Sequence, residues 1–314
     1  MSADTPPPKA EAPDPPAPGG EPRQTTPFLV LQFFVFPLAI VAVCVAVFVV
    51  FGLIAGESRG ARDYLAEVRG GSANRRWQAA FELSKVLQAR RDPALSDPHF
   101  AEEAVRLFRE SGTDDPRVRR YLALALGRLG DPRAVPALLE AVEEGADKER
   151  PVDAEIQIYA VWALGAIGDG AALPKLVALA GGADPGLRKA AVYALGAFPG
   201  DAAQAALVKA LGDATEDVRW NAAVALARRG EPRAAPILLE MMDRTHLADL
   251  DRRLRETGLP DGLTPEQREE AILLAVAAAA ALPSPALRSA LERLRDTDEN
   301  LKVREAARRA LARP

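Results

Sequence analysis

The chain has 314 residues, 48% of them hydrophobic but only 5% aromatic, and a formal net charge of −4. That balance supplies no global basic field for nucleic acid, and a core of Ala, Leu and Val suits closely stacked helices better than a deep aromatic ligand pocket. The single cysteine, Cys44, excludes a disulfide framework within the chain.

Residues 1–26 are poor in aliphatic side chains and carry Pro at 6, 7, 8, 13, 15, 16, 18 and 22. Such a stretch cannot bury enough apolar surface to fold, which predicts a disordered, partly polyproline II tail. Residues 27–56 are the opposite. From 28 to 54 there is no charge, and Gln32 is the one strongly polar side chain. That exceeds the roughly 20 residues a helix needs to cross a hydrocarbon core, so a transmembrane helix is predicted, in contact with the lipid bilayer over 28–54. A secretory signal would show a basic leading region and a shorter apolar stretch of roughly 7–15 residues, and neither is present. Pro37 is expected to kink the helix or mark its entry into the interface. Lys9 and Arg23 precede the span, whereas Arg59, Arg62, Arg69, Arg75 and Arg76 follow it. The positive-inside rule therefore puts the C-terminal portion in the cytoplasm. Arg outnumbers Lys heavily and Ala, Gly and Pro abound, as in proteins of GC-rich bacteria, so the expected location is a bacterial inner membrane. Gly52 with Gly56, and Ala42 with Ala46, have the small-residue spacing that lets a second membrane helix approach.

Residues 57–71 read as a charged juxtamembrane helix or linker, and residues 72–314 as a repeat array. The best-formed unit is 115–142. Val118, Leu122, Ala125, Leu126 and Leu129 give one apolar helical stripe. Asp115 can cap that helix, Pro116 suits its first position, and Gly130 ends it. Pro132 then opens a second amphipathic helix. The pattern recurs over 184–211 and 216–242. Gly165 to Gly196 and Gly196 to Ala227 are each 31 residues, while Gly127 to Gly165 is 38 because 143–152 is a charged insertion. A fixed period of this size means a solenoid. Residues 76–84 match 219–227. Residues 264–282 and 284–294 form a further pair, started by Thr264 and Pro265 with Gln267 three residues on. Residues 303–312 repeat the first-helix motif once more and serve as a cap.

The motif D-x-x-V-R-x-x-A-A-x-A-L-G-x-x-G-D followed by an Ala/Pro/Leu-rich helix resembles the short bacterial HEAT-like repeats also found in phycobilin lyases. It is strong at 115–131, 184–201, 216–231 and 303–312. It is weaker at 76–87, at 268–282 and at 152–169, where Gln157 stands in place of Arg. The resemblance covers roughly 71–314. It implies an all-α fold, an α-solenoid of HEAT-like helix pairs, here preceded by a single transmembrane helix. It also implies a bilin-lyase-like enzyme subunit or regulator as one possible activity. The repeated Ala pairs 190–191, 222–223 and 306–307 permit close helix packing, and Leu126, Leu164, Leu195, Leu226 and Leu311 make a continuous core ladder.

Arg76, Arg119, Arg188, Arg219 and Arg304 hold equivalent positions and should stack as a column. Two readings compete: an anion-binding stripe for phosphate, lipid headgroups or nucleic acid, or a structural ladder paired with Asp115, Asp184, Asp217 and Asp298 at repeat starts. The regular Asp partner favours the ladder, because unpaired buried Arg is costly. His99 and His246 lie in unrelated contexts, so zinc, Cys–His and Ser–His–Asp systems lack their residues. No enzyme, metal or cofactor is expected. The second helices of the repeats are expected to line the concave, partner-binding side. The insertions at 143–152 and 244–262 are candidate binding elements, the latter offering Arg244, His246, Arg252 and Arg253. Trp77 and Trp220 follow column arginines and are candidate hot spots, or pack over a neighbouring repeat. The function this supports is a membrane-anchored scaffold for protein partners, an accessory subunit of a membrane complex, with no nucleic acid bound.

Overall fold

The computed structural model describes residues 35–55, 59–89, 91–144, 154–258 and 262–312. They divide into two units, Met1–Ser58 and Arg59–Pro314. Within the first, helix α1 (Phe36–Ala55) contains no charged residue, and Val41, Val45 and Phe48 are exposed like the rest of its described apolar side chains. The expected tail, 1–26, and the start of the expected span, 28–34, lie outside the described residues, as does Gly56. Among the described residues no helix is long and apolar enough to cross a membrane. The side chains of α1 are described continuously only over 38–50. Ala42 and Ala46 are exposed on α1.

The second unit is an all-helical solenoid with no strand among its described residues. Its helices are α2 (Ala61–Gly70), α3 (Ala73–Gln88), α4 (Pro98–Glu110), α5 (Pro116–Leu129), α6 (Val135–Glu144), α7 (Ala154–Ile167), α8 (Leu173–Ala180), α9 (Pro185–Leu195) and α10 (Asp201–Ala210). They continue as α11 (Glu216–Ala227), α12 (Ala235–Met242), α13 (Arg244–Glu256), α14 (Pro265–Ala279), α15 (Pro285–Thr297) and α16 (Leu301–Leu311). The first helices α3, α5, α7, α9 and α11 lie side by side in one layer, which α14 and α16 extend; α4, α6, α8, α10, α12 and α15 form the second layer.

The sequence signals that set these boundaries act as local chemistry. Asp115 accepts from the Arg117 backbone N–H, Asp131 from that of Arg133 and Asp184 from that of Leu187, each satisfying an orphan donor at a helix or turn start. Thr264 and Gln267 form a reciprocal capping box at α14. Gly130 ends α5 at φ 74°, a left-handed conformation that disfavours other residues. Helix α2 lies within the stretch 57–71 expected as a juxtamembrane helix or linker, and belongs to the second unit. It buries Ala61, Leu65 and Val68, packs on α3, and its Ala61 N–H donates to Asp92 at 2.8 Å. It is the opening helix of the solenoid, because its apolar stripe has a partner surface to cover.

Leu126, Leu164, Leu195 and Leu226 are fully buried, a continuous ladder through the core, while Leu311 in the terminal helix is only partly covered. Neighbouring first helices approach to backbone contact at the motif glycine. A Cβ on Gly165 would stand 2.7 Å from the Ala194 Cα, and one on Gly127 would stand 2.8 Å from the Ala163 Cα. The small residue therefore sets the spacing of the layer. The segment 244–262 contributes the extra helix α13, whose Leu247 and Leu250 are buried. Most of the charged insertion at 143–152 lies outside the described residues.

Candidate functional site

The column arginines take partners other than the expected aspartates, except that Arg304 reaches Asp298 through its carbonyl. Asp115 and Asp184 are helix caps, with their oxygens engaged by backbone N–H groups, and Asp115 also pairs with exposed Arg117. The column arginines instead reach loop carbonyls and the carboxylate at the far end of the repeat. Arg76 donates to the Val68 carbonyl and to Asp114, both at 2.7 Å. Arg119, nine-tenths buried, donates to Glu144 at 2.7 Å and lies over the Phe108 ring. Arg188 grips Asp213 in a fork at 2.9 and 3.0 Å and also holds the Gly182 and Ala183 carbonyls. Arg219 takes the carbonyls of Asp213 and Ala214, and Arg304 that of Asp298. One loop residue, Asp213, thus gives its carboxylate to one repeat's arginine and its carbonyl to the next.

The fork from Arg188 holds the Asp213 carboxyl below the usual carboxylate range, against the opposing effect of burial. Asp217, a third expected partner, pairs with Lys189. These bonds engage Arg76, Arg119, Arg188 and Arg219 with the chain's own carboxylates and carbonyls, while the Arg119 Nε has no hydrogen-bond partner.

Arg244, expected on the binding face, is also a structural rung. It forks onto Asp298 at 2.7 and 2.8 Å and reaches Glu299, and the Asp298 side chain is only 1% exposed. Burial raises the Asp298 pKa, but Arg244 and the Asn300 N–H outweigh it and leave the carboxyl below its ordinary value. His246 sits 4.0 Å from Glu240, with Nε2 buried and without a hydrogen bond. Arg252 pairs with Asp249 on the exposed side of α13, where Arg253 also stands. Trp77 packs over its neighbour: Nε1 donates to Asn74 at 2.8 Å, and the Arg117 guanidinium lies 4.3 Å above the ring.

A cavity of about 480 Å³ lies along α4, a second helix. On the first-helix face lies a groove of about 920 Å³. Its floor is small, formed by Gly165, Ala194, Gly196 and Ala225 where the helices touch. Its aromatic wall is Trp162 from α7, Tyr193 from α9 and Trp220 from α11, faced by Leu250 and Leu254 of α13 and Leu274 of α14. Tyr193 is 56% exposed and Leu274 43%. The Trp220 Nε1 is buried and has no hydrogen-bond partner. A low aromatic content therefore did not preclude an aromatic groove, because the few rings are concentrated on one face. Of the expected site residues only Trp220 lines it. Trp162 and Tyr193 were missed, although they stand 31 residues apart, the same interval as Gly165 and Gly196. Among the described residues no cluster of three or more His, Cys, Asp or Glu is placed to hold a metal ion.

Comparison with known proteins agrees with this architecture. The family model of HEAT repeats matches residues 149–218 and 183–257, and that of the PBS lyase HEAT-like repeat matches 118–144. No curated protein sequence matches the chain. Among solved structures, the complex of CpcE and CpcF of phycocyanin lyase from a Nostoc species is 21% identical, over 81% of this chain and 96% of that one, with a TM-score of 0.48. YibA of Escherichia coli is 17% identical over 84% and 97%, with a TM-score of 0.45. Human deoxyhypusine hydroxylase in complex with glycerol is 18% identical over 80% and 94%, with a TM-score of 0.31. The matched repeats and the layered helix pairs together make the second unit an all-helical solenoid of HEAT-like repeats.

Proposed function

We propose that the chain is a membrane-anchored, non-catalytic scaffold that binds a protein partner in the first-helix groove, as an accessory subunit of a membrane complex. The observation that carries the partner site is the groove itself. Exposed Tyr193 and Leu274 stand beside half-buried Trp162 and Trp220 over a floor of Gly and Ala. Aromatic side chains clustered in a concave surface supply large contact area at low entropic cost, the pattern of interface hot spots. The anchor reading rests on the uncharged sequence of 28–54 and on the solvent-exposed apolar side chains of α1. The arginines at 59, 62, 69, 75 and 76 favour a cytoplasmic solenoid.

Two measurements test this. The full chain should stay in the pellet when native membranes are washed with alkaline carbonate; release into the wash removes the anchor. A photo-crosslinking residue at Tyr193 should join the chain to one defined protein, whereas the same probe at Ala205, exposed on α10, should not. Equal crosslinking at both positions, or none at Tyr193, removes the groove as the partner site.

A further inference from the structure

We infer that Arg128 anchors a carboxylate of the partner: an Asp or Glu side chain next to the segment held in the groove docks on the open Nε–Nη2 edge of this guanidinium. This deepens the groove reading and rests on it. The first argument is position. Arg128 directly follows the motif glycine Gly127, as Ala166 follows Gly165, Ala197 follows Gly196 and Arg228 follows Ala227. Those three counterparts all line the groove. Arg128 therefore carries the same face one repeat further, onto α5, which packs beside α7. Trp162 joins the two: it lines the groove, and a Cβ on Gly127 would stand 2.9 Å from its ring.

The second argument is the missing partner. Arg128 is half-buried in the last turn of α5. Its Nη1 is enclosed without an acceptor, while Nε and Nη2, equally unbonded, are not enclosed. Burial holds the guanidinium below its ordinary pKa, and no carboxylate opposes that effect. Arg229 is pushed down in the same way but is satisfied by the Leu195 and Phe198 carbonyls. Elsewhere in the chain the Nε–Nη2 edge takes a carboxylate as a fork: Arg188 on Asp213, Arg233 on Glu231 and Arg244 on Asp298. Among the described residues nothing meets that edge of Arg128, although a cation partly withdrawn from water is costly unless paired. A last-turn arginine also complements the helix dipole, but that is achieved in water and calls for no enclosed nitrogen.

The third argument is charge. Among the described groove residues Glu216 is paired with Arg219 and Asp217 with Lys189. Arg228 and Glu270 are left, one of each sign, so the lining itself selects no charge. Arg128 tips the balance on the α5 side. One unpaired guanidinium matches the single charge of Asp or Glu through two parallel hydrogen bonds. A phosphoryl group carries about −1.5 to −2, and the equivalent position of the next repeat offers only Ala166, so a carboxylate is the better match.

The test uses the full chain in native membranes with a photo-crosslinking residue at Tyr193. Arg128→Met should lower the crosslink to the partner about tenfold, the effect of one charge-assisted pair. Arg128→Lys, which keeps the charge and loses the fork, should restore it only in part. Arg293→Met, at an exposed position on α15, should leave it unchanged. Thermal unfolding separates binding from folding: Arg128→Met should not lower Tm, because it removes an unmatched cation. Mass spectrometry of the crosslinked segment should find an Asp or Glu whose change to Arg abolishes the crosslink, and Arg128→Glu should then regain it. An unchanged crosslink in Arg128→Met, a fall in its Tm, or an equal loss in Arg293→Met overturns the inference. So does a partner segment without a carboxylate, one with a phosphorylated residue in its place, or failure of the charge exchange to rescue. Each of these leaves the groove as the partner site. Absence of the Tyr193 crosslink in the chain that keeps Arg128 is the separate failure of the groove reading.

Discussion

Gly165→Val tests the contact that sets the spacing of the first-helix layer. The new Cβ would stand 2.6 Å from the Ala194 Cβ and 2.7 Å from its Cα. The second of these is backbone, so no side-chain rotation relieves it, and α7 must move away from α9. Overpacking of this kind costs about 1–3 kcal/mol, and contact with backbone argues for the upper half of that range. Replacing Gly by Val in a helix returns only about 0.4 kcal/mol of propensity. The net loss is about 2 kcal/mol, or roughly 4–8 °C in Tm for a unit of this size. Gly170→Ala is the control, since nothing lies within 4 Å of its Cβ, and it should stay within about 0.5 kcal/mol. The assay is thermal unfolding of the full chain by circular dichroism, joined to amide hydrogen exchange. In a solenoid each repeat touches only its neighbours. Protection should therefore fall in α7 and α9 and persist in α14 to α16. An unchanged Tm for Gly165→Val, or a uniform loss of protection along the chain, would refute the reasoning.

The Arg188–Asp213 pair, with side chains 14% and 12% exposed, should be among the more costly surface-proximal pairs to break. Arg188→Ala is expected to lose about 2–3 kcal/mol, between the values for exposed and buried pairs, measured as the shift of the denaturation midpoint. Because Arg188 lowers the folded-state pKa of Asp213, the pair's contribution is fully present above the ordinary carboxylate pKa of about 3.9. It is lost as pH falls through the lower folded value. Tm should therefore be flat from pH 7 to about 5 and fall at more acid pH, and Asp213→Asn should flatten that fall. Arg244→Ala strands the Asp298 carboxylate, which keeps only the Asn300 N–H, and should cost about 2–4 kcal/mol while leaving a Tyr193 crosslink in place. Leu195→Ala, at a fully buried rung, should cost about 2–5 kcal/mol by cavity formation.

Helix pairs, their caps and the core ladder were legible because each is governed by contacts within a few residues or by the repeat interval. Asp115, Pro116 and Gly130 act on their own helix, so their spacing carries the information. The partners of the arginines were not legible. The carboxylates they bind lie 25 residues on, at Glu144 and Asp213, and a one-dimensional reading cannot distinguish Asp213 from Asp217 or Asp114 from Asp115. The same limit hid Arg244, whose partner is 54 residues away. The groove was not legible, because its rings are brought together from three successive repeats. Trp162 lies in the repeat where Gln157 takes the arginine position, its amide bonded to the Val142 carbonyl. A weak motif match drew attention from a side chain whose repeat-equivalent, Tyr193, is also aromatic. Helix α2 was legible as a helix, but its packing on α3 through Ala61, Leu65 and Val68 was not, because its charges are more conspicuous in the sequence than its apolar stripe.

The backbone contacts at Gly127 and Gly165 turn the layer into a ruler. The aromatic rings can change identity while the distance between them stays fixed by glycine and alanine. A substitution at the floor, invisible to any occupant, would retune recognition by stretching the interval, whereas a substitution of a ring would only alter its strength. Variation that preserves partner choice should then fall on the wall of the groove and spare its floor.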